Sequence, residues 1–127
     1  MELKFVAAKK AEATDPVLKR RQRLAQRIDQ QIGLIHNVKD GQLPRKSWAW
    51  IDDQGNHLVG ISYGHTPLEL KKGMFAIQCE NVKLAADALE AIKAMVMQGS
   101  YDDQLTKISQ EIRRRFKTTD LAHNRML

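Results

Sequence analysis

The sequence predicts an α+β fold: a long N-terminal helix, a three- to four-stranded antiparallel sheet and two C-terminal helices. Three observations predict it. Apolar residues recur at three or four positions, or at a multiple of them, between residues 17 and 38, the pattern changes to a two-residue alternation over 46–80, and the helical spacing returns from 84 to 116. Helices gathered at the two ends of a run of strands, with short turns between the strands, suit a sheet covered by helices on one face and not a βαβ succession.

Residues 1–13 form a basic, alanine-rich arm in which Phe5 and Val6 either pair as a short edge strand or stay loose. Asp15-Pro16 opens the first helix. The carboxylate can accept from the free amides of the first turn, and proline at the first helical position loses no needed donor. Val17, Leu24, Ile28, Ile32, Ile35 and Val38 make its apolar face, and the helix is expected to run to about Lys39 and stop before Asp40-Gly41. Its stripe is too long for one small sheet to cover, which predicts packing on the sheet or on a second copy of itself, with a homodimer as the expected outcome. Arg20, Arg23 and Arg27 fall within roughly 60° of one another beside that stripe, with Lys19 extending the flank. Arg21 falls on the apolar side, so it either projects past the sheet or meets a partner that the local sequence does not name.

Trp48 and Trp50 share one face of the first strand, Ala49 and Ile51 the other. Asp52-Asp53-Gln54-Gly55-Asn56 is a turn with Gly55 free to take a positive φ, and His57 to Tyr63 is the return strand of a hairpin. Gly64-His65-Thr66-Pro67 breaks the pattern. Leu68-Glu69-Leu70 reads as a short third strand, Lys71-Lys72-Gly73 as a turn, and Met74 to Glu80 as a further strand. Asn81 caps the next helix, with Leu84, Ala88, Ile92, Met95 and Val96 facing inwards and Gly99 ending it. Ser100, with Asp103 three residues on, reads as the capping box of the last helix, whose stripe is Tyr101, Leu105, Ile108, Ile112 and Phe116. Arg113-Arg114-Arg115 then falls in the last turn, where cations suit the helix dipole, and 118–127 reads as a tail.

A chain of 127 residues fits a single domain, and 43% hydrophobic with 28% charged residues is ordinary globular composition. The lone cysteine, Cys79, sits in an apolar run and excludes an internal disulfide. No apolar run approaches the ~20 residues that span a bilayer, and the N-terminal apolar patch is too short for a signal peptide, so a cytoplasmic protein without membrane partners is expected. The net charge is +6 and unevenly spread. Residues 1–46 hold eleven Lys/Arg against five Asp/Glu, 47–80 hold two against four, and 81–127 hold eight against six. Such asymmetry suits a polyanionic partner as well as a solvated, solubilising face.

The chain has no Walker-type phosphate loop, dinucleotide fingerprint, His-Glu-x-x-His or Cys-x-x-Cys. His36, His57, His65 and His123 are scattered, and no serine or cysteine stands in a nucleophile setting. No enzyme, cofactor or metal site is expected. What remains is a combination of aromatic and basic residues. Trp48, Trp50 and Tyr63 lie on adjacent strands, with Phe75 near, and basic helices flank them. Single-strand nucleic-acid binders join stacking aromatics to a basic groove, because every base has a π-face and every phosphate a charge. The other reading makes the tryptophans the core face of the hairpin.

Ala7-Ala8-Lys9-Lys10, Asp15-Pro16-Val17-Leu18-Lys19-Arg20-Arg21, Trp50-Ile51-Asp52-Asp53-Gln54-Gly55, Ser62-Tyr63-Gly64, and Leu68-Glu69-Leu70-Lys71-Lys72-Gly73 with Ala76-Ile77 together carry a likeness. In these short motifs, over most of residues 5–117, the chain resembles a family of small proteobacterial proteins of unknown function often met in phages and mobile elements. It departs from that family in the brief Gln42–Lys46 linker and in Ser62, where relatives often carry arginine. The resemblance implies the fold and a mobile-element setting, and no mechanism. The sheet followed by Lys71-Lys72-Gly73 and a helix is also faintly similar to coactivator-type single-stranded DNA binders.

The sequence therefore predicts a nucleic-acid-binding accessory protein preferring single-stranded DNA or RNA, with weak sequence preference. Lys19, Arg20, Arg23, Arg27, Lys71 and Lys72 would hold phosphates, and Trp48, Trp50 and Tyr63 would stack on bases. The alternative is a protein-interaction module that modulates a host protein. Exposure of the tryptophans separates the two.

Overall fold

A computed structural model describes residues 2–10, 15–38 and 42–125, with side chains as far as Phe116. Its architecture is α+β: α1 (Pro16–His36), β1 (Ala49–Ile51), β2 (His57–Gly60), β3 (Ser62–Tyr63), β4 (Thr66–Pro67), β5 (Ala76–Cys79), α2 (Val82–Gln98) and α3 (Asp102–Arg125). β1, β2 and β5 form one antiparallel sheet in that spatial order, and β3 and β4 form a separate two-stranded one. No described helix is long and apolar enough to cross a membrane.

α1 starts as its sequence dictates: Asp15 accepts from the Val17 amide at 2.9 Å, and Pro16 takes the first position. It ends at His36, ahead of the expected Lys39, with the Asn37 amide closing on the Gly33 carbonyl. The expected stop at Asp40-Gly41 and the end of the arm at 11–13 lie outside the described residues. Residues 2–10 form neither helix nor strand, and Phe5 and Val6 are exposed. The buried face of α1 is Leu24, Ala25, Ile28, Gln31, Ile32 and Ile35. It packs chiefly on α2, so this chain itself covers the stripe that suggested a second copy.

The β1–β2 hairpin turns on Asp52, whose carboxylate accepts from the Gln54 and Asn56 amides at 2.9 and 2.8 Å, while Gly55 takes φ 82°. Ala49 stands opposite Val59, and Val59 opposite Ile77; this face meets the helices. Trp50 opposite Leu58, and Leu58 opposite Gln78, make the other face.

The expected return strand, His57 to Tyr63, divides at Ile61, which is buried in the core. Gly64-His65 is then no mere break. It is the two-residue turn of the β3–β4 hairpin, both residues at positive φ (56° and 68°), as mirror-image hairpin turns require. Leu68–Leu70 is not a strand. Leu68 is fully buried, with its amide on the Ile61 carbonyl, and the backbone of Glu69 is held on both sides by the side-chain amide of Gln104. A primary amide offers one donor and one acceptor side by side and so takes the place of a strand neighbour.

In α2 the inward residues are Ala85, Ala86, Leu89, Ile92 and Val96, whereas Leu84 and Met95, expected inside, are exposed. The buried arc is rotated toward the alanines, whose small side chains suit close packing against α1. Asn81 caps this helix as expected, at 2.9 Å from the Leu84 amide. Gly99, at φ 93°, ends it with amides 99 and 100 returning to carbonyls 96 and 95. Ser100 thus closes α2 and does not cap α3, which begins at Asp102. The backbone of α3 stays helical to Arg125, through most of the expected tail, so Arg113–Arg115 are not in its last turn and the dipole does not account for them. Tyr101, Leu105 and Ile108 join the core, Ile112 packs against it, and Phe116 is exposed.

Candidate nucleic-acid interface

Arg21 explains why the helices stand where they do. From the apolar side of α1 its guanidinium reaches Asp102, donating through Nε at 2.8 Å and also through Nη2. This planar, two-pronged pair fixes the start of α3 against α1. The hydrogen bond from Arg21 holds the Asp102 carboxyl below the usual carboxylate range, and Asp102 raises Arg21 in turn.

Between α1 and α3 lies a cleft of about 440 Å³. Lys19, Arg20 and Arg23 line it from α1, Ser109 and Arg113 from α3, and Tyr63 from the β3–β4 hairpin. The Tyr63 hydroxyl lies 3.3 Å from Ser109 Oγ. Arg20 Nε is buried without a hydrogen-bond partner. One turn further along α1, Arg27 enters a second cleft of about 480 Å³ with Lys46, Trp48 and His65. Trp48 is shared with a third, largely apolar cleft of about 450 Å³ bordered by Trp50, Pro67 and Phe75.

Trp48 is tied to α1 through its backbone. Gln31, buried within the apolar face of α1, accepts from the Trp48 amide at 2.7 Å and donates to the Lys46 carbonyl at 3.0 Å. It therefore satisfies backbone groups beside the first strand that no other strand pairs. Gly60 lies beneath the Trp50 ring: a Cβ there would meet the indole at an ordinary 3.5 Å and crowd the Phe75 carbonyl at 3.2 Å. Trp50 is 45% exposed and Phe75 47%, whereas Trp48 is half-buried and packs against the core. Neither reading of the pair holds for both residues.

Lys19, Arg20, Arg23 and Tyr63 therefore converge in one cleft, Arg27 and Trp48 in the next, and Trp48 and Trp50 in the third. Tyr63 does not stack beside the tryptophans as the sequence suggested. The chain leaves the large sheet at Ile61, and the ring turns to α3. Lys71 and Lys72 are exposed on their turn and line none of the three clefts. Sequence reasoning left Lys46, His65 and Ser109 out of the nucleic-acid site, and set Arg113 aside as a residue of the last helical turn. The four-residue spacing of Ser109 and Arg113 puts them on one helix face, but nothing local aims that face at α1.

Six lysines and arginines and no carboxylate line these clefts. No group of three or more His, Cys, Asp or Glu suited to a metal ion exists among the described residues. No protein-family model, curated protein or solved structure matches the chain.

Proposed function

We propose that this protein binds single-stranded nucleic acid with weak sequence preference. The phosphates follow the basic flank of α1, and the bases lie against Trp48, Trp50 and Phe75. One observation carries the reading: a cation-lined, carboxylate-free path along α1 reaches half-buried Trp48, which borders the cleft of the exposed Trp50 and Phe75. Stacking on π-faces tolerates any base, and contacts to phosphate carry no sequence information directly. Lys71 and Lys72, outside the clefts, add only general attraction. The motifs shared with small phage and mobile-element proteins suit an accessory role of this kind.

The test is fluorescence anisotropy with a labelled oligonucleotide across a salt series. Affinity should fall with a slope of roughly 0.7 log units per neutralised phosphate for each tenfold rise in salt. Replacing Arg20, Arg23 and Arg27 together by Gln should flatten that slope by about two units. Trp50→Ala should weaken binding by ~1–3 kcal/mol with little change in slope, because stacking releases few ions. Absence of binding at about 50 mM salt, with protein well above micromolar, would remove the proposal.

A further inference from the structure

The cleft between α1 and α3 holds more positive charge than one internal phosphodiester balances. Lys19, Arg20, Arg23 and Arg113 converge on about 440 Å³, and no carboxylate lines it. Asp102, which also feels the charge of Arg20, is already taken in a two-pronged pair by Arg21. An internal phosphodiester brings one negative charge. A terminal phosphate monoester brings about −1.5 to −2 and three strong acceptor oxygens on a single phosphorus.

The donors in the cleft match that second group. Arg20 lines the cleft while its Nε is buried without a partner, so its side chain gains from any acceptor that draws the guanidinium into a bonded position. Tyr63 and Ser109 add hydroxyls that already meet each other at 3.3 Å. The walls are tied to one another: α1 to α3 through Arg21 and Asp102, and the hairpin to α3 through Tyr63 and Ser109. On the hairpin side Ile112, which lines the cleft, packs so closely on Gly64 that a Cβ there would stand 2.5 Å from its Cδ1, so that wall has no slack. A strongly cationic, carboxylate-free cleft at one end of a basic path suits the doubly charged end of a chain better than its middle.

We propose that this cleft receives the terminal phosphate monoester of a nucleic-acid strand, which makes the protein an end-recognising binder. The inference rests on the nucleic-acid reading above.

The experiment compares, in phosphate-free buffer, oligonucleotides of about 12 nucleotides that differ only in carrying a 5′-phosphate, a 3′-phosphate or hydroxyls at both ends, each labelled at the unmodified end or internally. One phosphorylated end should bind about tenfold or more tightly than the hydroxyl form, as one or two charge-assisted hydrogen bonds provide. Arg20→Gln should erase that preference, and so should Arg113→Gln on the other wall, with folding of both variants checked by circular dichroism. Free inorganic phosphate should compete for the preference at millimolar concentration. If all oligonucleotides bind equally, the end-recognition proposal is overturned and the nucleic-acid reading stands. If no oligonucleotide binds but inorganic phosphate raises the melting temperature of the wild type and not of Arg20→Gln, the phosphate site is upheld and the strand is lost. If neither binds, both proposals fall.

Discussion

Gln31 is the polar residue that the apolar face of α1 carries into the core, and its removal has a calculable effect. Gln31→Leu keeps the bulk but deletes two hydrogen bonds, leaving the Trp48 amide and the Lys46 carbonyl without partners. An unmade hydrogen bond at a buried group costs about 1–3 kcal/mol, and the lower end applies here because both backbone groups are only partly buried and water can reach them. Two such groups cost about 2–3 kcal/mol, and burying a leucine in place of an amide returns roughly 1. The net loss is therefore about 1–2 kcal/mol. For a chain of this size that is about 3–8 °C in Tm, or ~1 M in the urea midpoint. Urea unfolding followed by tryptophan fluorescence measures it, and Gln30→Leu, an exposed neighbour without these bonds, is the control. The same variant should weaken oligonucleotide binding, since Gln31 seats Trp48. If Gln31→Leu unfolds at the wild-type midpoint, or no earlier than Gln30→Leu, the assignment of Gln31 as the tie between α1 and the first strand is refuted.

Ile28 is fully buried, so Ile28→Asp places an unpaired charge in the core at a cost of several kcal/mol against a total of about 5–15; circular dichroism should show loss of the folded state. Gly64→Ala combines a left-handed φ with a clash on Ile112 and should cost about 1–3 kcal/mol, whereas Gly55→Ala, with open space around its Cβ, should cost only the ~1 kcal/mol of backbone strain; equal melting temperatures would contradict the close packing of the hairpin on α3. Asp102 has its folded pKa held down by the hydrogen bond from Arg21, so its stabilisation is complete above the unfolded value near 3.9 and is lost as pH falls through the lower folded value. Asp102→Asn should therefore flatten the loss of stability below about pH 4, measured by urea midpoints across pH. Asp52, lowered chiefly by the Asn56 amide, keeps its own share of the slope.

What could be read from the sequence is what neighbours decide. The Asp15 and Asn81 caps, the Gly55 turn and the Gly99 ending each depend on a side chain or a positive φ within a few residues of the backbone they serve, and all four form. Lys19, Arg20, Arg23 and Arg27 share a flank of α1 for the same reason, since helical spacing alone puts them together. Faces that depend on a partner were harder. In α2 the larger residues Leu84 and Met95 drew the apolar stripe outward, while the structure turns inward the face with Ala85 and Ala86. The alternation over His57–Tyr63 continues across Ile61, so nothing in it marks where the chain leaves one sheet for another.

The convergence of the site belongs to contacts of long range. Arg21 meets Asp102 from 81 residues away, and Gln104 holds Glu69 from 35. These two pairs aim α3, and only then does Arg113 face Arg20. Arg21 looked misplaced because it was judged against its own helix. Its charge is used at the junction of α1 and α3, where it sets the separation of the cleft walls. Gln31 does the same for the aromatic end, fixing Trp48 to the helix that carries the arginines. Both ends of the proposed path are thus referred to one rigid element, α1, before any strand arrives. Association then has fewer segments to order, and more of the gross attraction is left as affinity. Loosening either tie should consequently weaken binding even where no contact residue has been changed.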